Sequence, residues 1–395
     1  RSPPAFLHTT GALDGCGSVL PVFRPGSGIP KRESYDAWCD REILRSACRC
    51  VWRGSCSAAG AASVTVPVTP PRPIDVLSAF PELADHARTA VRLHPEPDCP
   101  GPYDSSIGGP LAWPADEAWP TCPGGKHLKH RPPHRPDNVR GERSTTQFAY
   151  RGEITWDEIP ADATWPMLPV MQVYARDVPW FDGFPKDADV LQILWCPFQH
   201  YYEGATVPYN GIAAPFVHVR YRSSRDLSGG FSTPPEPLAV GEPGYLPSPC
   251  LLRPEPVTEY PHAGALGEEF EARVQEWETA AFDDMDPEDY EPRFRWELTT
   301  APGWKLGGHE PWNYQGYGGP VRCHSCGSEM RFVAAAASLE WDGGTASWAP
   351  AEFLDEPVHR RRRQEPTDVR LGSSETMRIF TCPVSPEHPV ISDLQ

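Results

Sequence analysis

The sequence predicts a β-rich α+β fold made by internal duplication, with mixed or antiparallel sheets and a few peripheral helices. Three observations carry this reading. One fixed order of features occurs twice along the chain: a Gly-Gly pair, a cysteine, an apolar strand, a strand ending in Cys-Pro, and a histidine. The 49 prolines and 33 glycines alternate with aromatic and aliphatic runs, the pattern of short strands joined by many turns. A helical period is clear in one stretch, near residue 270.

In the copy nearer the C-terminus, Trp304-Lys305-Leu306-Gly307-Gly308 precedes Cys323-His324-Ser325-Cys326-Gly327. The apolar segment Met330-Arg331-Phe332-Val333-Ala334 follows, and Met377-Arg378-Ile379-Phe380-Thr381-Cys382-Pro383 then leads to His388. The upstream copy reads Ser105-Ser106-Ile107-Gly108-Gly109, then Trp119-Pro120-Thr121-Cys122-Pro123, then Leu168-Pro169-Val170-Met171-Gln172-Val173-Tyr174. It closes on Leu191-Gln192-Ile193-Leu194-Trp195-Cys196-Pro197 with His200. These limits place a first repeat at 66–232, a connector with an amphipathic helix at 233–303 and a second repeat at 304–395.

Composition narrows the function. A hydrophobic content of 39% is modest, but 14 Trp, 13 Tyr and 15 Phe supply apolar surface for a core. The net charge of −17 repels phosphate backbones and anionic lipid, so the expected partner is another protein with a basic or neutral surface, not nucleic acid or membrane. There is no apolar run of about 18 residues and no charged segment leading into an apolar core near the start. Seven cysteines lie beyond residue 65, an odd number that includes a Cys-x-x-Cys pair, which favours a reducing compartment and makes cytoplasm the default.

Residues 1–65 differ from the rest, with five of the 12 cysteines and neither helical nor strand periodicity. The first methionine is Met167, and Val64, Val66 or Val68 would suit an alternative start. The segment reads as a disordered tail or a miscalled extension. Downstream, Pro81 fits the first turn of a short helix, and Thr89-Ala90-Val91-Arg92-Leu93-His94 alternates as a strand. Between Cys122 and Trp165 a polar insertion carries Lys126, His127, Lys129, His130, Arg131, His134 and Arg135, either a metal or anion site or a solvated loop.

Strands are expected at 168–176, 190–196 and 216–222, with His218 outward on the last. A proline-rich connector, 233–261, precedes the helix, whose Phe270, Val274, Trp277 and Ala281 recur at i, i+4, i+7 and i+11 as a docking stripe. An acidic loop from Asp283 to Glu291 and a strand over 293–298 follow. The basic run Arg360 to Arg363 reads as solvated surface or an internal partner for acidic patches.

Cys323 and Cys326 form the turn that presents two thiolates to zinc, and Cys382 with His388 supplies the other pair of a Cys3His set. Two plain buried thiols with a surface histidine, or a redox dithiol, are the alternatives; the helix start that a redox pair uses is missing. In the first copy Cys122, His127, Cys196 and His200 make a possible second or degenerate site, with Gly125 where the second cysteine of the turn would stand. No nucleophile elbow, phosphate loop, His-Glu-x-x-His or dinucleotide fingerprint is present, so no catalytic residue is assigned. The Gly-Gly pairs read as turns with positive backbone angles or as points of close strand packing.

Along these residues the sequence resembles the YwqG-like domain family, a bacterial family of unknown function. The resemblance rests on Ser106-Ile107-Gly108-Gly109-Pro110 with Trp113-Pro114, Trp119-Pro120, Leu168 to Val173, Trp195-Cys196-Pro197-Phe198, Lys305 to Gly308, Cys323 with Cys326, and Met330. It covers about residue 80 to the C-terminus, and the use of Pro, Trp and Arg resembles actinobacterial proteins. The departures are the extension before residue 66, the His-rich insertion and Ala335-Ala336-Ala337. The resemblance implies a duplicated, β-rich, soluble intracellular fold without an established activity. It suggests a protein-binding or scaffold module, or an immunity-type partner of a basic secreted toxin. A hydrolase or transferase with its site between the repeats is the competing expectation.

Overall fold

The computed structural model describes residues 67–122, 127–129, 131–142, 153–200, 214–227, 229–282, 293–312, 318–353 and 363–395. The extension at 1–65, Lys126 and His130, the acidic loop 283–291 and Arg360 to Arg362 lie outside the described residues. Among the described residues twelve strands run in order: β1 (Arg88–Arg92), β2 (Glu96–Pro97), β3 (Ser106–Ile107), β4 (Leu168–Tyr174), β5 (Val190–His200), β6 (Ala214–Arg222), β7 (Cys250–Leu251), β8 (Glu255–Glu259), β9 (Lys305–Gly307), β10 (Arg331–Ala337), β11 (Thr376–Thr381) and β12 (Ile391–Leu394). The α-helices are α1 (Val76–Ala79), α2 (Pro136–Glu142) and α3 (Glu268–Phe282). A six-stranded sheet I has the order β8-β1-β9-β10-β11-β12, and a six-stranded sheet II the order β2-β7-β3-β4-β5-β6. Every pairing in both is antiparallel. The fold is therefore a β-rich α+β architecture.

The same local rules build both sheets. Ile107 pairs with Met171 in sheet II, and Leu306 with Ala334 in sheet I. Each long strand then carries a register shift at the same place, between Pro169 and Met171 and between Phe332 and Ala334. The Gly-Gly turns have positive φ at Gly108 (64°) and Gly307 (61°), a region that side chains disfavour. Apolar residues on the facing sides, among them Val170, Ile193 and Trp195 from sheet II and Leu306, Val333 and Ile379 from sheet I, share one core. Full burial of side chains this size contributes about 1.5–3 kcal/mol each.

Within the segment 233–303, two strands pair with strands of the segment before it. Strands β7 and β8 pair along one antiparallel ribbon with β1 and β2: Arg92 faces Glu255, Arg253 donates its N–H to the Leu93 carbonyl at 2.8 Å, and Glu96 faces Leu251. One side of the ribbon joins β9 of sheet I through β1, and the other joins β3 of sheet II through β7. The ribbon strands are twins in sequence, Leu93-His94-Pro95-Glu96-Pro97 and Leu252-Arg253-Pro254-Glu255-Pro256. Pro97 and Pro256 both fall on outermost strands, where a missing N–H costs no ladder bond.

On the outer face of each sheet a single lateral row is polar. In sheet I it runs Glu255, Arg92, Lys305, Ala335, Arg378, Asp393; in sheet II it runs Glu96, Leu251, Ser106, Gln172, Gln192, Arg220. Arg92, Lys305 and Arg378 are wholly buried, as are Ser106, Gln172 and Gln192. Lys305 pairs with Glu259 at 2.6 Å, and Arg378 donates from Nε to Asp393 at 2.8 Å. In sheet II the Gln192 amide donates to Gln172 Oε1 at 2.8 Å, an uncharged answer to the same problem.

Helix α3 forms where the stripe predicts it. Phe270 and Val274 are buried with Phe80, Phe294 and Leu298, and Trp277 packs against them. The strand expected over 293–298 is instead a helical turn, Phe294–Thr299. The i, i+4 burial of Phe294 and Leu298 against Phe80 and Phe270 outweighs the two-residue alternation, and it turns Glu297 inward to accept from Ser347 N at 3.2 Å. His218 is half-buried rather than exposed, and desolvation lowers its pKa.

Candidate metal centres

Each sheet carries one cluster of four cysteine and histidine side chains at the corresponding place. In sheet II, the Thr121–Pro166 bridge holds the segment before β4, with Cys122 N–H donating to the Trp165 carbonyl at 2.8 Å and Met167 N–H to the Pro120 carbonyl at 3.0 Å. In sheet I the Arg322–Glu329 bridge does the same before β10. There Cys323 N–H donates to the Ser328 carbonyl at 2.9 Å and Met330 N–H to the Val321 carbonyl at 2.8 Å. Cys196 in β5 and Cys382, just past β11, follow the matching strand residues Trp195 and Thr381, which face Leu168 and Arg331. Two cysteines in each cluster are thereby fixed by ladder geometry.

The histidines arrive by different routes. His127 bridges to His200 at the far end of β5, helped by the Leu128 N–H to Gln199 carbonyl bond at 2.9 Å. Cys122 Sγ then lies 3.4 Å from His127 Nε2 and 3.3 Å from His200 Nε2, and Cys196 Sγ lies 3.3 Å from His127 Nε2. In sheet I, the turn after β11 brings His388 Nδ1 to 3.2 Å from Cys382 Sγ and 3.5 Å from Cys323 Sγ, while Cys326 and Cys382 sulfurs are 3.5 Å apart. Within each cluster all four ligand atoms lie within 4.8 Å of one another.

Those separations fit a tetrahedral ion. Bonds of about 2.3 Å to sulfur and about 2.0 Å to nitrogen put sulfur and nitrogen ligands roughly 3.5 Å apart. The sequence-predicted Cys323, Cys326, Cys382 and His388 are brought together, and so are Cys122, His127, Cys196 and His200, despite the Gly125 substitution. The donor sets, Cys3His and Cys2His2, suit zinc. Cys196, Cys323, Cys326 and Cys382 form no disulfide.

The surroundings differ. Around the sheet II cluster, Cys122, Cys196 and His200 are buried, and His127 stacks on Phe198 with centroids 4.9 Å apart and meets Trp165 edge-on. Burial pushes the Cys196 thiol pKa upward. The sheet I cluster opens to solvent at Cys326, whose pKa falls to about 6 because the Ser328 side chain and backbone hydrogen-bond to its sulfur.

Other members of the polar insertion take structural roles. Lys129 lies 5.2 Å over Trp156, and His134 is buried in bridges to Val240 and Glu153. A second group of functional candidates escaped the sequence reading: His94, Glu96, Arg253 and Glu340 around a cleft at the ribbon. The repeated Pro-Glu-Pro of the ribbon strands was the signal that could have drawn attention there. No family model matches the chain, and no curated protein matches it. Among the described residues no helix is long and apolar enough to cross a membrane.

Proposed function

We propose that this chain is a zinc-stapled protein-binding scaffold of YwqG-like type, in which each sheet is pinned by one structural zinc. The observation supporting it is the paired clusters: four protein ligands converge at the same place in both sheets. Four protein donors fill a tetrahedron and leave no open position for a substrate or water, which is the arrangement of structural zinc and not of catalytic zinc. The net charge of −17 favours a basic protein as partner, and an immunity-type complex with a basic toxin is one form of this reading.

Elemental analysis of the full chain tests the zinc part. About two zinc per chain are expected, falling to one in Cys382→Ser and to one in Cys196→Ser. For the partner, a gene for a basic toxin domain beside this one, whose product binds with a steep loss of affinity in salt, is the expected finding.

A second reading, an active site between the repeats, is favoured by one observation. The cleft at the ribbon lies where the two sheets join and gathers titratable side chains.

A further inference from the structure

The ribbon cleft has a volume of about 150 Å³. Cavities of that size take roughly six to eight non-hydrogen atoms. Its walls come from both parts of the molecule: His94, Pro95, Glu96 and Arg253 from the ribbon, and Glu340, Trp341, Glu352, Phe353 and Arg363 from beyond β10. Three features set it apart from ordinary surface.

The first is an orphaned carboxyl. Glu340 is 3% exposed, and only its Oε1 is satisfied, accepting from the Trp304 N–H at 3.1 Å; Oε2 has no hydrogen-bond partner. A buried polar atom without a partner is rare in folded proteins and marks a place where a ligand or a strained group is accommodated. The corresponding acid of the other sheet shows that the orphan is not forced by the fold. Three residues beyond β4 stands Asp177, as Glu340 stands three beyond β10, and Asp177 Oδ2 accepts from the Ser105 hydroxyl at 2.6 Å. Trp304 occupies the place of Ser105 and has no hydroxyl to offer.

The second is backbone strain. His94 sits at φ 41°, in the left-handed region, although it is neither glycine nor in a turn that demands it. Its ring is held by Glu255 at 2.9 Å, which in turn accepts from the Thr69 hydroxyl and N–H. Such strain persists only where surrounding bonds over-determine it, and it concentrates at ligand sites.

The third is separated charge. Arg253 and Arg363 both reach Glu96, at 3.1 and 3.8 Å, so two guanidinium groups share one carboxylate. Glu340 and Glu352 make no ion pair with either. Between them Trp341 and Phe353 stack in parallel, with centroids 6.1 Å apart and an interplanar angle of 17°. The cleft therefore has a cationic wall in Arg253 and Arg363, an exposed carboxylate in Glu352 that pairs with neither, and an aromatic side.

We propose that this cleft binds a small zwitterion of free α-amino acid type, its carboxylate on Arg253 and Arg363 and its ammonium on Glu352, with the buried Glu340 carboxyl behind it. A glycine, alanine or serine zwitterion has five to seven non-hydrogen atoms and fits the volume. The proposal is independent of the zinc reading.

The test is calorimetric titration of the full chain with glycine, L-alanine and L-serine, and with ethylammonium and propionate as probes carrying one charge each. At least one amino acid binds with a Kd below 1 mM, and each single-charge probe binds at least tenfold more weakly. Arg253→Gln, Arg363→Gln and Glu352→Gln, at the rim, each weaken amino-acid binding at least tenfold while zinc content and circular dichroism stay unchanged. No heat with any of the three amino acids overturns the proposal. So does ethylammonium or propionate binding as tightly as the amino acid, or retention of full affinity in all three variants.

Discussion

The two sheets solve one problem in two ways. Both have the order of a short Gly-Gly strand, a long bulged strand, a strand leading into a cysteine, and an edge strand, with the same register; in sheet II that third strand runs on past Cys196 to His200. Both bury a polar row across the outer face. Sheet II fills the row with hydroxyl and amide groups and encloses its Cys/His cluster among aromatic rings. Sheet I fills it with cations that need Glu259 and Asp393 as partners, and leaves its Cys/His cluster at the rim. Backbone topology therefore fixes where the polar row and the clusters fall, and side-chain choice fixes how costly each is to disrupt.

The metal clusters give the largest expected contrast. Structural zinc contributes on the order of 10–16 kcal/mol of apparent binding energy that is also folding energy. Replacing Cys122 and Cys196 together by Ser is expected to abolish cooperative unfolding by circular dichroism. Cys326→Ser, at the exposed corner of the other cluster, should lower the midpoint yet leave a folded chain.

The polar rows come next. Lys305→Met leaves Glu259 as a lone buried carboxylate, a loss of about 3–5 kcal/mol. Gln192→Leu in the neutral row should cost about 1–3 kcal/mol, the penalty of removing the Gln192 amide from Arg222 Nε and the Ala112 carbonyl. Chemical denaturation of the two variants measures the difference. Equal losses would mean that the charge in sheet I carries no special weight.

Glu340 sharpens the contrast with pH. Burial raises its pKa from 4.5 to about 7, with Arg92 opposing the rise. A carboxyl with a raised folded pKa stabilises below its unfolded pKa, and that stability is lost as pH climbs through the folded value. Glu340→Gln should therefore remove a fall of about 3 kcal/mol between pH 4.5 and 8. His94 and His309 work in the opposite direction, their pKa values lowered by burial to about 4 and about 3. Their contribution is present above about pH 6.5 and lost as pH falls through those values. Denaturation midpoints at pH 4, 6 and 8 in wild type and Glu340→Gln read both effects.

The smallest expected difference is at the turns. A Cβ on Gly108 would lie 2.7 Å from the Ser248 carbonyl oxygen, whereas one on Gly307 first meets the Phe181 ring at 3.2 Å. Both substitutions carry the left-handed penalty of about 1–2 kcal/mol for a side chain, and Gly108→Ala should exceed Gly307→Ala by about 1 kcal/mol. Thermal midpoints of the two variants test this.

Much of this was legible in the sequence, because period and punctuation are local. The long strand β6 and the helix stripe Phe270-Val274-Trp277 follow from two-residue and 3.6-residue alternation, and β4 and β5 from their near-continuous apolar runs. The eight cluster residues were legible because Cys-Pro recurs at Cys122, Cys196 and Cys382, Cys323 and Cys326 form a Cys-x-x-Cys turn, and a histidine follows each Cys-Pro within six residues. What escaped depends on distant partners. The 293–298 segment alternates as a strand, and only Phe80 and Phe270 decide that it coils. The ribbon strands β2 and β7 are two residues each, too short to show a period, and their role is visible only when Glu96 is found opposite Leu251. The cleft needs His94 and Glu340, almost 250 residues apart in sequence, to be seen together.

The central claim is that both clusters are structural zinc centres of unequal exposure. Zinc release from the full chain under a chelator, followed by a colorimetric zinc indicator, tests it most directly. The account predicts two zinc per chain in two phases: a fast one lost in Cys326→Ser, and a slow one that follows the rate of unfolding and is lost in Cys196→Ser. A well-folded chain that carries no zinc, or that releases a single zinc unaffected by Cys196→Ser, would contradict it.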